Sequence, residues 1–195
     1  MGARNGSGAG SSGSVDARRR VRGVFAVRRI RPDEGPRLRA IRLAALADAP
    51  GDATTTLARA EARSAEHWDE AALANASGGL QATFFAEPAD GAGAVDDGAE
   101  PIGLIGAYAN ESGIVNLVGL WSAPGYRDVG VAPALLDAVA SWARTIGADR
   151  LRMWVVERND FAKAFYLDQG FEPTGASIPY ELDPRLKQVA MVKPL

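Results

Sequence analysis

The chain has 195 residues, 47% hydrophobic and 24% charged, which suits one globular domain with a substantial core. Its 22 Lys and Arg nearly balance its 24 Asp and Glu, and a net charge of −2 gives no footing for nucleic acid or an anionic membrane. With no cysteine and one histidine, His67, the chain has no disulfide, thiolate metal site, cysteine nucleophile or His-rich metal centre, and little from which to build a Ser-His-Asp triad.

No apolar stretch approaches the ~20 residues of a membrane span. The N-terminal Arg18, Arg19 and Arg20 are not followed by the apolar core of a signal peptide, and Gly6 stands where a myristoylation signal needs Ser or Thr. A cytoplasmic protein is expected. Residues 1–21, Gly/Ser-rich and then Arg-rich, bury too little apolar surface to order themselves and read as a flexible tail before a domain over 22–195.

Residues 24–30 read as a first strand. Leu38, Ile41, Ala45 and Leu46 predict a helix over 33–46 with Asp33 as N-cap, and Pro50 and Gly51 end it. A second helix is expected over 55–74, carrying Leu57, Ala60, Trp68 and Ala72. Residues 80–86 are a strand, and the Gly/Ala/Asp-rich stretch 87–100 an acidic hairpin loop. Strands follow at 101–109 and 114–122 around a turn at 110–113.

The next helix has the clearest apolar face of the chain: Val131, Leu135, Leu136, Val139, Trp142, Ala143 and Ile146, stopped by Gly147. A strand over 151–156, a short helix over 159–169 ended by Gly170, and two strands complete the order β-α-α-β-β-β-α-β-α-β-β. There is no internal repeat.

Between the strand at 114–122 and the helix at 131 lies Tyr126-Arg127-Asp128-Val129-Gly130-Val131-Ala132. A strand feeding a glycine turn at a helix start offers outward N–H groups and a favourable dipole to an anion. A plain connection would look the same on spacing alone. Downstream comes Asn159-x-x-Ala162-x-x-Phe165-Tyr166-x-x-x-Gly170-Phe171. Together, Arg127-x-x-Gly130-x-Ala132, this second segment and the element order resemble the GNAT superfamily of acyl-CoA-dependent N-acyltransferases, over about 24–195.

The resemblance implies an α+β fold: a mixed, mostly antiparallel central sheet whose parallel strands 4 and 5 splay apart to admit the pantetheine arm of coenzyme A. It implies acetyl-CoA as co-substrate, no metal, and an amine acceptor, with homodimers common in the family. The pyrophosphate would lie on the N–H groups of Val129, Gly130, Val131 and Ala132, beside Arg127 and Asp128. Asp128 adds negative charge there, and Pro133 removes one donor while suiting the first helical turn. Backbone groups of Leu120, Trp121 and Ser122 would bond the pantetheine, with an N–H near Leu120 or Trp121 polarising the thioester carbonyl. Core packing explains Leu117 and Leu120 as well.

Asn159 and Tyr166 stand two helical turns apart on one face. Asn159 would bond a pantetheine amide, or cap its helix; Tyr166 would hand its proton to the departing thiolate, or pack in the core. A phenol near ~10 would make that transfer roughly balanced. Phe165 belongs to the same cofactor segment, although core packing explains it and Phe171. The general base is open between Glu111 and Glu157; Asn116 and Ser122 could only order a water. Asp48, Asp52, Glu61, Glu66, Asp69 and Glu70 would give the acceptor site an acidic mouth, unless they are solvated helix surface. His67 and Trp68 are neighbours there.

The expected activity is N-acetyl transfer from acetyl-CoA by direct attack in a ternary complex. The acceptor is a small amine, an aminoglycoside-like drug, an amino acid or a protein N-terminus. The alternative is a non-catalytic acyl-CoA-binding or regulatory module. A nucleotide-binding protein fits poorly, because the loop lacks Gly-Lys-Ser/Thr.

Overall fold

The structure, a computed structural model, describes residues 25–50, 55–89, 99–110 and 113–195. The expected N-terminal tail, most of the loop at 87–100, Asp52 and Glu111 lie outside the described residues. The chain runs β1 Phe25–Arg29, α1 Gly35–Asp48, α2 Leu57–Glu61, α3 Ala65–Ser77, β2 Gln81–Pro88, β3 Gly103–Ala109 and β4 Ile114–Ser122. A 3-10 turn Pro124–Val129 leads into α4 Val131–Thr145, followed by β5 Arg150–Val156, α5 Asp160–Asp168, β6 Glu172–Pro179 and β7 Lys187–Pro194.

The expected order holds with one addition. The single helix expected over 55–74 is two, α2 and α3. Ser64 is in extended conformation and its hydroxyl accepts from the His67 N–H at 3.3 Å, so the chain restarts there as a new helix. Thr56 caps α2 in the same way, from Arg59 N–H at 3.2 Å. At α1 the cap position falls to Glu34, not Asp33, and neither closes the helix with a side-chain bond. The Glu34 carboxylate is taken instead by Arg28, at 2.5 and 2.8 Å, and by Arg37 at 2.6 Å. Glu87, expected in a loop, is a fully buried residue of β2. Arg28 reaches it at 2.6 and 2.7 Å, and Arg37 at 2.7 Å.

The seven strands form one mixed sheet in the order β1-β2-β3-β4-β5-β7-β6. Every pairing is antiparallel except β4 with β5. Alternation along the central strands builds two cores, one per face. Ala82, Phe84, Ala86 and Ile105 join the α4 residues Val131, Leu135, Val139 and Ala143 on one side. Phe85 and Leu104 join Leu38, Ile41, Leu46, Ala60, Trp68 and Ala72 of the first three helices on the other. The result is a three-layer α+β fold with its one parallel pair at the centre. Among the described residues, no helix is long and apolar enough to cross a membrane, and no group of three His, Asp or Glu could hold a metal ion.

Candidate active site

Strands β4 and β5 pair over three positions only: Ile114 with Arg150, Val115 with Leu151 and Asn116 with Arg152. Beyond them β5 stays paired with β7 as far as Val156, while β4 stays with β3. The two strands therefore diverge from Asn116 onward. Within the divergence β4 bulges. Trp121 faces Leu104 and Val118 faces Gly106, which leaves an extra residue at Gly119–Leu120. Gly119 has φ +61°, a conformation that favours glycine.

The gap opens into a cleft of about 770 Å³ walled by the end of β4, the Pro124–Val129 turn, the start of α4, β5 and α5. Leu120, Trp121, Ser122, Arg127, Asp128, Gly130, Ala132, Asn159, Phe165 and Tyr166 all line it. Residues drawn from three separate stretches of the sequence thus face one space. Val129 and Val131, expected beside them, do not line the cleft; their side chains pack with the α4 core.

At the mouth, Gly130 turns the chain with φ +89° and caps α4. The first α-helical bond is Ala134 N–H to the Gly130 carbonyl, at 3.2 Å. The N–H groups of Val131 and Ala132 precede it and lack an α-helical acceptor, and Pro133 has none to offer. Asp128 is exposed beside them. Ser122 is buried, and its hydroxyl has no hydrogen-bond partner. An unpartnered buried hydroxyl and a helix start whose first N–H groups lack α-helical acceptors fit a ligand that carries amide and phosphate oxygens.

On the opposite wall, Asn159 Oδ1 accepts from the Ala162 N–H at 2.9 Å and so caps α5. Its amide NH2 is left for other partners. Tyr166 is 3% exposed, wedged edge-on between Phe165 and Phe171 with ring centroids 5.3 and 5.2 Å away. Burial pushes its phenol well above the ordinary 10.0. Phe171 is core, whereas Phe165 is half-buried and serves both core and cleft.

The carboxylates are arranged differently from the expectation of an acidic mouth. Glu61, Glu66, Asp69 and Glu70 are exposed and away from the cleft, and Trp68 is a buried core residue. Asp48, at the end of α1, does line the cleft, but its Oδ2 accepts from Trp121 Nε1 at 2.9 Å and is ion-paired with Arg127. Glu157 is exposed outside the cleft, where its carboxylate accepts from the Lys187 N–H at 3.0 Å. A smaller recess of about 140 Å³ adjoins the cleft, sharing Gly119, Leu120, Trp121, Met153 and Trp154 with it. Arg42 of α1 lines this recess, and no motif in the sequence pointed to it.

A family model described as "Acetyltransferase (GNAT) family" matches residues 53–171, more than half of the chain. The chain belongs to the GNAT acetyltransferase family, a class of acyltransferases. Solved structures agree on the fold. A GCN5-related N-acetyltransferase from Kribbella flavida is 19% identical with a TM-score of 0.65, over 88% of this chain and 98% of that one. PaiA N-acetyltransferase from Thermoplasma acidophilum, solved in complex with coenzyme A, is 17% identical with a TM-score of 0.64, over 88% and 99%. Nourseothricin acetyltransferase is 23% identical with a TM-score of 0.50, over 58% of this chain and 65% of that one. No curated protein matches the chain in sequence.

Proposed function

We propose that this protein transfers an acetyl group from acetyl-CoA to a primary amine by direct attack in a ternary complex. The observation that carries the reading is Tyr166, a buried phenol on the wall of the same cleft that opens at the α4 N-terminus and the β4 bulge. Coenzyme A, which the PaiA structure holds, suits the parts of this cleft. Its pyrophosphate would lie on the N–H groups at Gly130–Ala132, near Val129 and Arg127. Its pantetheine would pass the backbone of Leu120 and Trp121, the Ser122 hydroxyl and the Asn159 amide, with Phe165 as an apolar border.

The thioester carbonyl would sit at the bulge, where a fixed N–H aimed at the developing oxyanion is worth ~3–4 kcal/mol. The amine attacks, the C–S bond breaks, and the Tyr166 hydroxyl protonates the thiolate. Burial makes that phenol a weaker acid than in water, but the departing thiolate is desolvated by the same walls, so both groups shift in the same direction. With no cysteine in the chain, no cysteinyl intermediate forms. The candidates for the base that frees the amine are Glu111 and, although the Lys187 N–H holds its carboxylate outside the cleft, Glu157; a Gln variant that abolishes the acidic limb of the rate profile identifies the base, and an acidic limb kept in both removes both.

The test is thiol release with Tyr166→Phe. The expected outcome is a kcat lower by ~10²–10⁴, the span of general acid catalysis, with the acetyl-CoA Kd changed less than about twofold by calorimetry. Unchanged turnover would remove Tyr166 from the reaction. Acetyl-CoA binding without release from any amine would leave a binding module.

A further inference from the structure

The recess beside the cleft is largely apolar, with the Arg42 guanidinium and the Asn116 amide among its few polar groups. Arg42 projects from α1 into it and has no carboxylate, carbonyl or aromatic partner among the described residues. Its guanidinium packs against the β4 bulge so closely that a side-chain carbon at Gly119 would collide with Nη1. Burial, and then the charge of Arg63, lower its pKa below the ordinary 12.5, which marks a cation that lacks compensation. An arginine in a protein nonetheless stays charged.

Asn116 lines the same recess and is 2% exposed. Its Oδ1 is held by Arg152 Nε at 2.7 Å, which fixes the amide orientation, and its Nδ2 has no partner. A buried donor without an acceptor costs ~1–3 kcal/mol, so an unpaired amide beside an unpaired guanidinium is an expensive arrangement unless a ligand completes it. None of the residues lining the recess is acidic, and the nearby Asp48 is occupied by Arg127 and Trp121.

We propose that the acceptor amine carries a carboxylate, which the Arg42 guanidinium and the Asn116 amide NH2 hold in this recess. The inference rests on the acetyl-transfer reading above and narrows its substrate. The guanidinium fork matches a planar carboxylate in two parallel bonds, which suits it better than a neutral carbonyl. The Gly119–Leu120 bulge is common to recess and cleft, so a carboxylate held at Arg42 places an amine a few bonds away within reach of the thioester. The recess is well below the ~300 Å³ at which drug-sized sites begin, so the acceptor has the size of an amino acid. A polycationic acceptor would meet the like charge of Arg42 at the same point.

Thiol release should be measured for amino acids paired with their carboxamides, together with a polyamine. The acids are expected to exceed their carboxamides in kcat/KM by at least ~10-fold, the cost of losing a charge-assisted bond. Arg42→Gln is expected to bring that ratio toward one, mainly through KM for the acid, and Arg42→Lys to restore part of it. A merely structural role for Arg42 would not change the ratio. If Arg42→Gln does not fold, the wild-type ratio alone decides. Carboxamides or the polyamine matching the acids would overturn the inference and leave N-acetyl transfer standing. No release from any amine would overturn both.

Discussion

Asp48 sits 79 residues before Arg127 in sequence yet binds it directly, and the same oxygen holds the Trp121 indole. The contact neutralises the one basic side chain of the Pro124–Val129 turn, at the α4 end of the cleft. Asp48→Asn keeps an acceptor for Trp121 while freeing the Arg127 charge. The acetyl-CoA Kd is expected to fall about two- to fivefold at low ionic strength, with the gain fading as salt screens it. Tyr166 predicts a pH dependence. A phenol raised by burial stays protonated beyond its ordinary 10.0, so kcat should show no alkaline limb from its ionisation below pH ~10. Tyr166, Asn159 and Gly130 could be singled out in the sequence as cleft residues because they belong to the two segments that carry the family resemblance. Arg42 drew no attention there and Asn116 only as a group to order a water, because what distinguishes them is the lack of a partner, and that depends on α1, β4 and β5 meeting in space.

Helix α4 shows why some elements announce themselves. Val131, Leu135, Val139 and Ala143 are fully buried, and the helix lies so close to β3 that a Cβ at Gly103 would come within 2.6 Å of Val131. That demand for one continuous apolar face writes itself into the sequence as a period. Leu135→Ala should cost about 2–5 kcal/mol in denaturant unfolding, as for a deep core truncation. The break between α2 and α3 was hidden for the opposite reason. Neither cap is completed by a Glu or Gln three residues on, since Arg59 follows Thr56 and His67 follows Ser64. With helix-compatible residues on both sides, the stop has no signature. Ser64→Ala should destabilise by about 1 kcal/mol, read as a lower melting temperature.

Across the whole molecule, Arg28, Arg37, Glu34 and Glu87 tie β1, β2 and α1 into one ion network. Burial opposes ionisation of Glu34, but Arg28, the Arg31 N–H and Arg37 outweigh it and draw the pKa from 4.5 down to about 2. A depressed folded value stabilises the fold above the unfolded one, so this contribution is complete above pH 4.5 and is lost as pH falls toward 2. Melting temperature measured across that window should fall, and less so in Glu34→Gln. Glu87→Ala, which strips a fully buried partner from two arginines, should cost about 3–5 kcal/mol at neutral pH.

The brief parallel pairing of β4 with β5 divides the sheet into two leaves, β1–β4 and β5–β7, stitched by three residue pairs at one end. Two leaves joined by so short a seam can breathe, and a ligand lying along the gap would act as the missing rungs between them. Acetyl-CoA binding should then slow amide hydrogen exchange along the free edges of β4 and β5 far more than on the outer strands β1 and β6. The donor molecule would in that case be part of the scaffold that presents it.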